Sequence, residues 1–124
     1  MAFNITNFGI ITGRLTADPR FFPNRDGSQK VMLTVASENN YRNSHGERDS
    51  QFIPLEAFIS ANTPASVYNL IRKGDLVSCE ICIRNNNYRD KSGEQVYGLS
   101  LQIDTIKIME PKHITDARHA ESVA

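Results

Sequence analysis

The sequence predicts an all-β domain: a five-stranded Greek-key barrel with one short helix between its third and fourth strands and with extended hairpins. Three observations carry this expectation. Apolar and polar residues alternate over 31–36, 51–59, 76–84 and 99–103, the period of half-buried strands. Stretches rich in Pro, Gly, Asn and Asp separate those runs. Only residues 63–74 carry helix signals, with Thr63-Pro64 as N-cap and first helical position, an apolar stripe of Val67, Leu70 and Ile71, and Lys73-Gly74 as the stop. That helix is expected to run for about three turns.

The elements follow in order. Phe8 to Leu15, FGIITGRL, is a strand in which Gly9 and Gly13 mark bends. Thr16 to Gln29 has the composition of a loop and reads as a hairpin with an irregular tip. In Lys30 to Glu38, Val31, Leu33 and Val35 form the core face, with Met32, Thr34 and Ala36 opposite. Asn39 to Ser50 is a polar hairpin tip with Tyr41 at its base. In Gln51 to Ile59 the core face is Ile53, Leu55, Ala57 and Ile59, which leaves Phe52 and Phe58 on the outer face with Pro54 and Glu56. Leu76 to Tyr88, LVSCEICIRNNNY, reads as one unbroken strand. Its core face is Val77, Cys79, Ile81 and Ile83; Glu80, Cys82, Arg84, Asn86 and Tyr88 face outward. A short loop leads to the last strand, Val96 to Met109, where the apolar phase slips between Ile103 and Ile106 and predicts a bulge. Residues 1–111 form the domain, and 112–124 are expected to be a short disordered tail. No internal repeat is expected. Five strands with a helix between the third and fourth is the order of the oligonucleotide-binding (OB) fold.

Bulk properties narrow the function. The 124 residues suffice for one core, and 14 basic residues balance 14 acidic ones, with neither half a basic block. Nucleic-acid binders usually carry a clearer positive footprint, so binding here requires charges sorted by face. No apolar run approaches a membrane span, and the N-terminus lacks a secretory signature, so a cytoplasmic protein with no membrane association is expected. Cys79 and Cys82 are spaced C-x-x-C, but strand alternation sends them to opposite faces; they are read as ordinary buried thiols. No metal site or cofactor is expected. No nucleophile, base and orienting group form a set, so no enzyme is predicted.

The residues that point to a ligand are aromatic. Tyr41, Phe52, Phe58 and Tyr88 all fall off the predicted core face, on neighbouring surfaces of such a barrel. Rings spread in this way suit the bases of a single strand, each stacked base contributing about 1–3 kcal/mol. Arg42, Arg84 and Arg89 lie near them, and Arg72 and Lys73 end the helix; these five are the candidate phosphate contacts. Blander readings stand beside this one. Phe58 could close the core at a barrel end, the tyrosines could serve a subunit interface, and the arginines could be solvated loop charges.

Gly13 to Pro19, GRLTADP, resembles the GRLTxDP signature of bacterial single-stranded DNA-binding proteins. LTVA at 33–36, Gly46-Glu47, QFIPLEAF at 51–58, RKGDLV at 72–77, Asn87-Tyr88, DKSGEQVY at 90–97 and MEP at 109–111 continue the resemblance in order, over about residues 4–111. The resemblance implies an OB fold and a homo-oligomer, usually a tetramer and in some members a dimer. It implies sequence-tolerant binding and protection of single-stranded DNA in replication, recombination or repair, in a bacterial, nucleoid-associated setting. It also assigns the stacking positions to Tyr41, Phe52, Phe58 and Tyr88. The chain departs from the family pattern in having no tryptophan, in Ile81, Cys82 and Asn86 where glycine and two arginines are common, and in Glu56 on the binding face. These changes predict binding that is weaker or less salt-sensitive than is usual for the family. They also keep open a second reading, a primosome-type accessory module that acts mainly through protein contacts and binds single strands weakly. The sequence ends in Glu121-Ser122-Val123-Ala124, without the acidic Pro-Phe tip that recruits replication and repair enzymes in the family.

Overall fold

The computed structural model describes residues 5–63 and 66–123. Its strands are β1 (Gly9–Leu15), β2 (Arg20–Pro23), β3 (Gln29–Glu38), β4 (Ser50–Ile59), β5 (Leu76–Asn85), β6 (Tyr88–Arg89), β7 (Gln95–Val96) and β8 (Leu99–Ile108), followed by a helix, α1 (Lys112–Val123). The sheet order β1-β5-β8-β4-β3-β2, closed by a β1–β3 pairing, makes a five-stranded barrel with β2 as an outer edge strand. The one parallel contact, β4 with β8, is recorded at a single pair, Glu56 with Gln102. The predicted all-β OB architecture is therefore what the chain adopts.

Strand alternation fills the barrel. Val31, Val35, Leu55, Val77 and Cys79 are fully enclosed, with Leu33, Ala57, Ile81 and Ile103 nearly so. Burial pushes the Cys79 thiol up to about 12, so it stays protonated and unreactive at neutral pH. The predicted bulge is present: Glu80 pairs with Thr105 and Ile81 with Ile103, leaving Asp104 as the extra residue. Gly13 sits where β1 turns from β5 toward β3, and a Cβ there would lie 2.1 Å from the Ala36 carbonyl oxygen. Only glycine permits that approach.

Five sequence expectations need correction. First, the helix between the third and fourth barrel strands is one 3-10 turn, Val67–Asn69, capped by the Ser66 hydroxyl on Tyr68 N; Pro64 lies outside the described residues. Arg72 N donates to Asp75 Oδ2 and Lys73 N to Asp18 Oδ1, so carboxylates take the amides that a longer helix would send back to its own carbonyls. Second, the tail is helical. Thr115, Arg118 and His119, at i, i+3 and i+4 spacing, face the barrel, and Arg118 Nη1 lies 2.8 Å from Asp75 Oδ1. His119 Nε2 lies 2.9 Å from Asp75 Oδ2, and Arg118 also bridges Glu110. An amphipathic stripe built from polar residues is invisible to a hydrophobicity pattern. Third, the hairpin expected in 16–29 is present, but residues 20–23 of it form a regular strand, β2, paired with β3. Fourth, 76–88 is not one strand. Asn86 N donates to Gly98 O, and the Asn87 side chain accepts from Gly98 N, which breaks the ladder and sets β6–β7 apart as a separate hairpin. Fifth, Ile83 is 46% exposed, because β1 ends before reaching it and only the Asn7 side chain pairs with its backbone.

Candidate nucleic-acid interface

The outer face of β3 and β4 is set by register. Ala36 pairs with Phe52, Thr34 with Pro54, Met32 with Glu56 and Lys30 with Phe58. The even positions of β4 that point away from the core thus carry a phenyl ring near each end, about 20 Å apart by strand rise. Phe52 is 68% exposed and Phe58 is 58% exposed, which removes Phe58 from the core of this chain. Between them Glu56 lies 3.3 Å from Lys30 Nζ, so its charge is paired on the surface. Across the parallel seam the face continues to Gln102 and Ser100 of β8 and to Arg84 of β5, which pairs with Ser100. Met32, Pro54, Glu56, Asn86 and Ser100 line one groove along this seam.

Two arms project from the same end of the barrel, because β4 and β8 run parallel from the hairpins that precede them. They are built alike. Residues 41–47 read YRNSHGE and residues 88–94 read YRDKSGE, a repeat that the sequence reading missed. In the first, Asn43 Oδ1 accepts from His45 N and Glu47 N; in the second, Asp90 Oδ1 accepts from Ser92 N and Glu94 N. Gly46 and Gly93 supply the left-handed turn residue, with φ of +77° and +87°. Arg42 Nη1 donates to Gly46 O, and Arg89 Nη1 donates to Gly93 O. Hydrogen bonds from the Ser92 hydroxyl and Glu94 N hold the Asp90 carboxyl below the ordinary carboxylate range, so it stays an acceptor at neutral pH. Each arm presents one tyrosine at its base; Tyr41 is 64% exposed and Tyr88 is 54% exposed.

The nine candidate residues divide accordingly. Tyr41, Arg42, Tyr88 and Arg89 lie on the arms, Phe52 and Phe58 on β4, and Arg84 on the adjoining face of β5. Arg72 and Lys73 are not with them. They precede β5 at the opposite end of the barrel, where the Arg72 guanidinium donates to the carbonyls of Asn69 and Ile71. Exposed rings outside the four predicted ones are Tyr97 on the second arm, Phe22 on β2 and Phe8 before β1. Tyr97 stands in phase with Leu99 and Leu101, whereas the adjacent pair Phe21-Phe22 gives no alternation from which to assign a face. Among the described residues, no group of three His, Cys, Asp or Glu side chains is placed to hold a metal ion.

Comparison with known proteins matches this chain to the single-strand binding protein family over residues 6–109. A single-stranded DNA-binding protein of Staphylococcus aureus strain MRSA252 is 30% identical over 112 residues, covering 90% of this chain and 70% of the relative. Single-stranded DNA-binding protein 1 of strain MSSA476 is 31% identical over 110 residues, covering 89% and 69%. Single-stranded DNA-binding protein 2 of strain Mu50 is 29% identical over 107 residues, covering 86% and 74%. With a barrel of this topology and a family match across nearly all of it, the chain belongs to the single-strand binding protein family.

Proposed function

We propose that this protein binds single-stranded DNA with little sequence preference and protects it during replication, recombination or repair. Bases stack on Tyr41, Phe52, Phe58 and Tyr88, and Arg42, Arg84 and Arg89 meet phosphates. The observation that carries the reading is the exposure of all four rings, two on the outer face of β4 and one on each arm, with none of them in the core. Arg42 and Arg89 each commit Nη1 to their own turn and keep the remaining guanidinium donors for phosphate. Arg72 and Lys73 belong to a phosphate path only where the strand also passes the far end of the barrel.

The functional unit is a homo-oligomer, a tetramer in the first instance, in the bacterial cytoplasm and nucleoid. In support, β1 pairs with β5 along Gly9–Arg14 and with β3 only at Arg14 and Leu15, so its other edge is open, and Ile10 is 57% exposed beside it. Sedimentation that returns a monomer at micromolar concentration removes this part of the reading.

Titration of fluorescently labelled oligo-dT at two salt concentrations tests the binding itself. Phe52→Ala and Tyr88→Ala are each expected to weaken binding by about 5- to 100-fold, the equivalent of about 1–3 kcal/mol per lost stack, without changing the oligomer. Unchanged affinity in both variants, or no binding of the unsubstituted protein at low salt, favours the primosome-type protein-contact module instead. The balanced net charge of the chain is the feature that keeps this second reading in play.

A further inference from the structure

Strand β2 lies in a segment with the composition of a loop, yet it extends the outer face of the sheet by one strand. Phe22 pairs with Lys30, which pairs with Phe58, so the three side chains form a single cross-strand row. Arg20 pairs with Met32, which pairs with Glu56, in the next row. At the spacing of adjacent strands, the Phe22 and Phe58 positions stand about 10 Å apart with Lys30 between them. That order, ring, cation, ring, matches the order base, phosphate, base along a single strand.

Packing does not account for Phe22. Its neighbour Phe21 packs against the core, and alternation turns Phe22 outward, 43% exposed. The Arg20 guanidinium carbon lies 5.9 Å from the centre of the Phe22 ring, at the outer limit of a cation–π contact, so the ring face is not sealed. Among the described residues no carboxylate pairs with Arg20, whereas Lys30 already has Glu56. A large apolar ring and an uncompensated cation therefore stand side by side, in register with Phe58.

We propose that β2 carries a further single-strand subsite, in which a nucleobase stacks on Phe22 and Arg20 meets the adjacent phosphate. The bound strand then runs from the arms along β4 and crosses Lys30 to the edge of the sheet. This rests on the single-strand-binding reading and lengthens its path by one platform.

The chain has no tryptophan, so Phe22→Trp places a single indole at the subsite. Oligo-dT of about 16 nucleotides, the upper end of the site size for one such barrel, is expected to quench its emission. Ile114→Trp on α1 stays unquenched. Phe22→Ala is expected to weaken binding of the labelled oligonucleotide roughly tenfold with no change in thermal midpoint. Arg20→Gln is expected to lower the slope of log affinity against log salt by about 0.7. An unquenched Phe22→Trp protein that still binds the labelled strand overturns the β2 subsite and leaves the four-ring face standing. Quenching without any loss of affinity in Phe22→Ala overturns it as well. Failure of the unsubstituted protein to bind any strand overturns both.

Discussion

Phe52 and Phe58 keep their rings in solvent near the two ends of β4, with exposed Pro54 and the paired Glu56 between them. Ile53, Leu55 and Ala57 pack inward; Glu56 is held by Lys30. The rings were legible because clean alternation in 51–59 assigns each residue to a face without help from any other strand. Ile83 was misassigned by the same rule. Alternation places it on the core side, but whether that side is covered depends on where β1 ends, and β1 pairs no further than Gly9 with Ile81. Gly13 is the residue whose identity the fold constrains most tightly. Gly13→Ala drives a Cβ into the Ala36 carbonyl and the Val35 side chain, and two backbones must separate to admit it. The expected destabilisation is about 2 kcal/mol or more, read as a lower midpoint in urea.

The arms and the terminal helix show how elements are held. Each arm is stiffened by one acceptor side chain at its third residue and one arginine clasp, so each tyrosine is presented on an ordered turn. Asp90→Ala removes the acceptor for Ser92 N and Glu94 N. Faster hydrogen exchange at those two amides is expected, with severalfold weaker oligo-dT binding and little change in global stability. Unchanged exchange there would show that the tip is ordered by something else. The repeat behind this symmetry is present in the sequence, but its first copy lies in a predicted hairpin tip and its second straddles the end of a predicted strand and a short loop, so the two do not stand out as alike.

Helix α1 depends on Asp75 and Glu110. Desolvation by itself raises the Glu110 carboxyl, but hydrogen bonds from Leu76 N, Arg118 and Arg14 outweigh it and hold the group below its ordinary value of 4.5. The sign follows from that depression. The stabilisation is complete above pH 4.5, where the unfolded carboxyl is ionised, and it is lost as pH falls through the lower folded value. Thermal midpoints of the native chain should therefore drop more steeply in that window than those of Glu110→Gln. Parallel curves would remove Glu110 from the account. At Asp75, which is 1% exposed, replacement by alanine removes the shared acceptor of Arg72 N, Arg118 and His119, leaves Arg118 with Glu110 alone, and is expected to cost about 3 kcal/mol and to release α1.

On the scale of the whole molecule, part of the balanced charge is paired within the fold. Glu110, Asp75, Glu56 and Glu38 are each engaged by Arg14, Arg118, Lys30 or Arg48, while Arg20 and Arg84 have no carboxylate partner among the described residues. Neutralising three to four phosphates per barrel, at Arg42, Arg84, Arg89 and Arg20, gives a slope of log affinity against log salt of about −2 to −3. A slope steeper than about −5 would mean that far more cations are engaged, Arg72 and Lys73 among them. The sequence by itself determined the barrel strands, their inward faces apart from Cys82 and Ile83 at the far end of β5, the bulge near Asp104 and the exposure of the four rings, because period-2 alternation and turn residues act over a few positions of chain. Only the tertiary structure decided the short 3-10 turn, the docking of α1, the break before Tyr88, the distance of Arg72 and Lys73 from the rings, and the place of β2. Each of these depends on a partner beyond the reach of a local pattern: Asp18 for the end of the turn, Asp75 for the helix, Gly98 for the break, and β3 for β2. A local pattern carries no information about such a partner, and the energy of these features resides in the pairing.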